Sequence, residues 1–426
     1  LIREVRACLS KCLENQSAPA DRKPWPGYTS YTSGDMPRLY SGCYGLGSRD
    51  LQPEALLAAV ENMLPDAAQR PFFYLSVDFV HDRAASPKQE IYQQQLLDAY
   101  PQLGNLAIHG SENPDLTPPG STTVRIHSVG GWGAITTGKN LAMTLFDLLG
   151  FDIKANPKYG SEKKGQPTTY YLSAAPEPIR LNCEYHFVDV AMSPDPNVFS
   201  HSNPLDGLKQ GGVFIIQSDA EDPAAVWAGF PRSARQQIID NDIHVYILDG
   251  FRIARDEASN PDLQFRMQGN AFQGAFFAAS PLMQQANLDE AGLFEAIDKQ
   301  LRHKFGNKGE RIVQDNLRVV RRGFDEIREI TDKPLEAASQ EPQRKPAGLP
   351  VMLKQLPEAD GGISDVHRFW EQTGNFYISG SGNENIADPY IGLGMMPAST
   401  GVYRDMTQIR FEYPQYIPEN CTACGN

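Results

Sequence analysis

Along the chain the spacing of apolar positions changes repeatedly, and each change marks an element. Residues 1–16, LIREVRACLSKCLENQ, set Leu1, Val5, Leu9 and Leu13 four apart, the stripe of one helical face. The polar, proline-rich SAPADRKPWPGYTSYTSGD that follows reads as a linker or extended arm. A turn-rich segment then leads into a helix opened at Asp50 or Pro53, and RPFFYLSVDFV has the apolar content of a buried strand, together a βα-type unit. From Thr122 the pattern restarts, with a strand over 124–129, a helix over 134–149 and a strand over 151–155. Strands in TTYYLSAA, EYHFVDV and GGVFIIQS, helices over 222–240, a strand in HVYILDG and helical stretches at 268–279 and 287–329 complete it. Strands alternating with helices predict an α/β fold built on a doubly wound, mostly parallel, Rossmann-like sheet. Beyond 330 the composition shifts to DKPLEAASQEPQRKPAGLP, a linker, and the glycine-rich residues 350–420 read as an extension that wraps.

Composition narrows the field. At 426 residues two or three domains are expected, and no stretch approaches the roughly 20 unbroken apolar residues that span a bilayer. With 39 Lys and Arg against 52 Asp and Glu, a net charge of −13, the chain is not a sequence-independent nucleic-acid binder. The opening residues carry no initiator Met and no signal pattern, so a cytoplasmic piece of something larger is expected. Six cysteines are too few for a disulfide scaffold and suit a reducing compartment. Cys8 and Cys12, four apart on the first helix, are either a shared metal face or small buried hydrophobes.

The chemistry concentrates at SVGGWG, where Ser128, Gly130, Gly131 and Gly133 stand between a strand and a helix. Glycines there allow positive φ and close approach of a phosphate, and the helix start offers free N–H groups on a positive dipole end. A dinucleotide fingerprint wants an acidic residue at the tip of the second strand; here the tip is basic, with Lys154, Lys158, Lys163 and Lys164, while Asp152 lies at the strand's other end. The ligand expected at this turn therefore carries phosphate near that tip. His127 reads as a strand-end histidine, and Asp78, His81 and Asp82 as a solvated turn after a strand. No catalytic residue is assigned.

In order along the chain, HSVGGWGAITTGKNLA, YGSEKKG, EYHFVDVAMSPDPNVF with LKQGGVFIIQS, and NAFQGAFF resemble the gamma region of the 2-oxoacid:ferredoxin (flavodoxin) oxidoreductases of the pyruvate:ferredoxin oxidoreductase type. Upstream, YGLGSRDLQPEALLAAVENM and FFYLSVDFVHD resemble the end of the family's transketolase C-terminal-like domain. Downstream, KFGNKGERIVQDN resembles the close of the gamma region, and YPQYIPENCTACGN the entrance to a ferredoxin-like domain. The resemblance divides the chain into a helix and arm (1–34), a transketolase C-terminal-like segment (35–120), the gamma domain (121–330), a linker and wrapping extension (331–420) and the start of a [4Fe-4S] domain (421–426).

It further implies an oxidative decarboxylation of a 2-oxoacid to its acyl-CoA. Thiamine diphosphate and [4Fe-4S] clusters serve the intact enzyme, ferredoxin or flavodoxin takes the electrons, and the other domains or subunits, with a second copy in a homodimer, are the partners. This chain's share would be coenzyme A. By position, Gly130, Gly131 and Gly133 would approach its phosphates, with Ser128 standing where the family usually has glycine. Tyr159, Ser161, Lys163 and Lys164 match the family's lysine-containing loop and would meet the phosphates or the pantetheine arm. Asn270 and Gly274 match an N-x-x-x-G-A pattern of helix packing beside the same site. Cys421 and Cys424 would supply two of the four thiolates of a cluster. Thiamine's usual GDG with a following NN is missing from the chain. Two rival readings remain: an NAD(P)-dependent dehydrogenase with a degenerate glycine motif, and a non-enzymatic α/β scaffold.

Overall fold

The computed structural model describes residues 2–46, 50–81, 87–158, 167–259, 264–335, 348–357, 361–378 and 395–404, and positions 390, 415, 417 and 419. Internal contacts divide the chain into two compact units, Leu1–Leu116 and Thr117–Asn426. No described helix is long and apolar enough to cross a membrane.

In the first unit, helix α1 (Ile2–Ser17) is held to the arm that follows it. The buried Asn15 side chain donates to the carbonyls of Trp25 and Tyr28 and accepts from the Trp25 N–H at 2.8, 2.9 and 3.0 Å. The Lys11 ammonium lies 4.9 Å from the centroid of each of those two rings. The proline-rich stretch thus folds back on its own helix. Strand β1 (Ser41–Cys43), helix α2 (Pro53–Asn62) and strand β2 (Phe72–Tyr74) form a parallel βαβ unit over a small core of Ala55, Ala58, Phe73 and Leu75. The expected strand through Val80 stops at Tyr74, because Ser76 takes a left-handed φ of 59°. Helix α3 (Pro87–Ala99) follows; its glutamine-rich sequence has no apolar stripe to announce it.

The second unit is built on β3 (Thr122–Val129), α4 (Ala134–Leu149), β4 (Asp152–Lys158), β5 (Pro167–Ala175), β6 (Val188–Ser193), β7 (Leu208–Gln217), α5 (Pro223–Gly229), α6 (Arg232–Asp240) and β8 (His244–Leu248). It continues with α7 (Gly250–Glu257), α8 (Gln264–Ala279), α9 (Leu282–Gln285), α10 (Glu290–Phe305), α11 (Glu310–Asp325) and β9 (Arg328–Glu329). The sheet order is β4-β5-β3-β6-β7-β8-β9. Strands β3, β6, β7 and β8 are parallel neighbours, whereas β5 is antiparallel to both β3 and β4, and β9 to β8. Five of the seven strands run one way, the mostly parallel sheet that the alternation predicts.

The helices expected over 222–240 are α5 and α6, separated at Pro231, which lacks an N–H. Two boundaries differ from the sequence expectation. Gly309, at φ 104°, ends the run over 287–329 between α10 and α11. Strand β6 begins only at Val188, after EYHF.

One apolar face of the sheet, with Val124, Ile126, Leu172 and Ile215, packs against α4, α7, α8, α10 and α11. The other, with Phe214, Ile216, Val245 and Ile247, packs against α5 and α6 through Trp227, Phe230 and Ile238. The chain leaves β3 by α4 on the first face and leaves β7 by α5 and α6 on the second. The sense of winding reverses between β3 and β6, which is where a crevice opens at the carboxyl ends of the strands in a doubly wound sheet.

Candidate functional site

Strand β3 is buried on both faces as far as Ser128, and Gly130–Gly133 carry the chain from it into α4. Gly131 and Gly133 have φ of 98° and 90°, conformations that side-chain-bearing residues rarely take. Gly133 is the N-cap, so no side chain caps the first turn of α4, and that turn holds no acidic residue. The Thr137 N–H already bonds the Gly133 carbonyl at 2.9 Å. The three N–H groups before it stand at the positive end of a sixteen-residue helix with no side-chain acceptor. Trp132, at the crest of the turn, stacks edge-on against Phe251 of α7 with centroids 5.1 Å apart.

Around this turn lie the other strand ends. At the end of β7, Gln217 accepts from the Gly250 N–H at 2.9 Å and donates to Asp249 at 3.1 Å. Asp249 in turn caps α7. Ser128 is 1% exposed and its hydroxyl has no hydrogen-bond partner. Gln268 of α8 is fully buried, with neither end of its amide bonded. A buried hydroxyl without a partner directly before a bare helix start is the kind of group that a bound ligand or water satisfies.

On the opposite face of β3 the row Thr123, Arg125 and His127 is also buried. Thr123 donates to Asp189 at 2.8 Å, and Arg125 donates to the carbonyls of Pro204 and Asp206. Burial, then the positive charge of Arg125 and the nearby His201, hold His127 well below the usual imidazole range. The charged form of His127 is thereby disfavoured in its buried place near the end of β3. Ser193 ends β6 and donates to the carbonyl of Asp195 just beyond it, and the His201 Nε2 lies 2.7 Å from Asp195. Sequence reading passed over this pair, since the two are six residues apart in an irregular loop with no periodic signal.

The other expectations scatter. Lys158, at the tip of β4, pairs with Glu184 at 2.7 Å, while Lys154 lies back in the half-buried body of the strand. Strand β4 also does not sit beside β3, because β5 pairs antiparallel with both and lies between them. The basic tip still faces the glycine turn's edge of the sheet, since Lys158 pairs with Thr169 and Thr169 with His127. Tyr159, Ser161, Lys163 and Lys164 lie outside the described residues, as do Asp82, Cys421 and Cys424.

Asn270 is buried between Asn140 of α4 and Asn316 of α11, at 3.1 and 2.5 Å, and Gly274 lies against the Val320 carbonyl. Cys8 is exposed and Cys12 buried. Asp78 pairs with His109 at 2.7 Å rather than with His81. Among the described residues no three His, Cys, Asp or Glu side chains are grouped to hold a metal.

Residues 123–326 match the family described as pyruvate ferredoxin/flavodoxin oxidoreductase. Over 400 residues the chain is 23% identical to the pyruvate-flavodoxin oxidoreductase of Klebsiella pneumoniae, covering 93% of this chain and 30% of that protein. It is 22% identical over 389 residues to the pyruvate:ferredoxin oxidoreductase of Moorella thermoacetica, covering 91% and 29%. The chain thus spans about three-tenths of the length of these relatives. Among solved structures, the pyruvate oxidoreductase subunit PORC of Thermotoga maritima aligns with a TM-score of 0.38 and 20% identity, over 49% of this chain and 98% of that one.

Proposed function

We propose, from a chain whose residues 123–326 carry the pyruvate ferredoxin/flavodoxin oxidoreductase domain, that this protein is the acyl-acceptor part of a 2-oxoacid:ferredoxin or flavodoxin oxidoreductase. In the reaction a 2-oxoacid loses carbon dioxide, two electrons leave one at a time to the carrier protein, and the acyl group joins the sulfur of coenzyme A with release of the thiol proton. The chain's contribution is to bind coenzyme A and hold its thiol for the acyl group, a gain in proximity.

The observation that carries this reading is the bare start of α4 above Gly131 and Gly133, at the point where the winding of the sheet reverses. Uncapped N–H groups on a positive helix end suit the coenzyme's diphosphate, and the absence of a side chain at either glycine lets it approach. Ser128, buried and unpartnered, is placed to donate to the same group. Tyr159, Ser161, Lys163 and Lys164 belong to the connection between β4 and β5, whose two ends open on this edge, and are assigned to the phosphates or pantetheine arm.

Thiamine diphosphate supplies the carbanion chemistry in such enzymes, and no residue of this chain is assigned to it. Cys421 and Cys424 are assigned as two of the four thiolates that a [4Fe-4S] cluster needs.

Calorimetric titration with coenzyme A and with NADP tests the assignment. Coenzyme A binding that is abolished by Gly131→Val supports it. Binding of NADP alone favours the dehydrogenase, and binding of neither by the complete enzyme sinks the reading.

A further inference from the structure

Helix α4 and the α10–α11 corner bring three lysines together. Lys139 is exposed in the second turn of α4. Lys304, near the end of α10, is half-buried; its ammonium donates to Asn140 on α4 and lies 5.4 Å from the centroid of the Phe305 ring. Lys308, in the turn after α10, brings its ammonium to 5.6 Å from the same ring. Among the described residues, none of the three has a carboxylate within ion-pair distance.

Their neighbours differ. Arg302 is held by Asp298 and Glu310, Arg318 by Glu257 and Asp315, Arg321 by Glu290 and Asp325, and Arg322 by Asp256, Glu257 and Glu326. In a chain with 52 acidic and 39 basic residues, these four arginines are neutralised, while the three lysines are left to repel one another. Burial lowers the Lys304 ammonium from its ordinary value, and the repulsion of Lys139 and Lys308 adds to that. An arriving anion relieves it.

The patch is also within one ligand's length of the glycine turn. Lys139 is six residues beyond Gly133, about 9 Å along the helix axis. Its side chain leaves the helix tilted toward the N-terminus, back toward the turn.

We propose that Lys139, Lys304 and Lys308 form a second anion subsite, which receives the ribose 3′-phosphate of the coenzyme A whose diphosphate lies at the start of α4. The inference rests on the coenzyme A reading above and assigns it a residue set that the glycine motif does not contain. Lysine suits the task, since a mobile ammonium with three donors follows a phosphate on a rotating ribose better than a fixed guanidinium fork.

The experiment titrates the complete enzyme with coenzyme A and with 3′-dephospho-coenzyme A, as the wild type, as K139A/K308A and as Lys304→Gln. Lys139 and Lys308 are exposed, so their removal leaves the fold intact, and matching thermal melts confirm that. The double variant is expected to weaken coenzyme A about tenfold while shifting the 3′-dephospho form less than about twofold, with Lys304→Gln in the same direction. Equal weakening of both ligands overturns the 3′-phosphate assignment. Unchanged binding of both overturns the subsite while leaving the coenzyme A reading intact. Failure of the wild type to bind either ligand overturns the coenzyme A reading and the subsite with it.

Discussion

Gly133 stands at φ 90° with its amide at the mouth of α4, so adding a single methyl group there is a sharp probe of the turn. An L-residue in the left-handed region costs roughly 1–2 kcal/mol. Gly133→Ala is therefore expected to lower stability by about that amount in urea titration, and to weaken coenzyme A further than the stability loss alone explains. His127 gives a second prediction at this scale. Its folded-state pKa lies below the unfolded value near 6.5, so in acid the unfolded chain takes up a proton that the folded chain refuses. Its contribution is intact above about pH 6.5 and falls as pH drops from there toward the folded pKa, by at most about 1.4 kcal/mol per unit. Denaturation at pH 7.5 and 5.5 should show a smaller acid-side loss in His127→Gln than in the wild type; equal losses would remove His127 as the cause. The glycines and His127 were legible in the sequence because strand-turn-helix spacing is local. The Asp195–His201 pair and the three-lysine corner were not, because the lysines of that corner come from elements some 160 residues apart.

Between elements, the crossing of α8 and α11 controls the helical layer behind the turn. A Cβ at Gly274 would strike the Val320 carbonyl, and one at Gly323 would strike the Ala271 backbone. The helices touch through main chain at both glycines, with no flexible side chain to yield. Gly323→Ala is expected to cost about 2 kcal/mol or more, read as a drop in melting temperature. The amide ladder beside it makes a separate prediction. Asn270→Leu strips Asn140 and Asn316 of a shared partner inside the core and is expected to cost roughly 2–3 kcal/mol. A loss below about 0.5 kcal/mol would mean that water replaces the amide. Sequence pattern found α4 to the residue, since a glycine stands at each of its ends. It joined α10 to α11, because an apolar-striped run looks continuous until a left-handed glycine is recognised inside it.

The molecule as a whole carries a charge of −13 yet is assigned an anionic ligand. Such a ligand meets an unfavourable general field and a favourable local one, and salt screens the exposed part of both. If the lysine corner and the helix start dominate at close range, the coenzyme A dissociation constant should rise roughly three- to tenfold between about 50 and 300 mM salt. Tighter binding at higher salt would show that the overall negative field governs instead.

The sequence by itself determined the α/β class, the run of elements from β3 to β8 and the glycine turn between strand and helix. These follow from apolar period, chain punctuation and backbone freedom, all properties of neighbouring residues. Only the tertiary structure decided that β5 enters the sheet between β3 and β4, that β3's polar row is buried beneath the 195–207 loop, and that the lysines of α4 and α10 converge. Strand order is settled by which edges can pair across a short connection, and charge clusters by which helices pack together. Neither quantity is written in the period of any single segment.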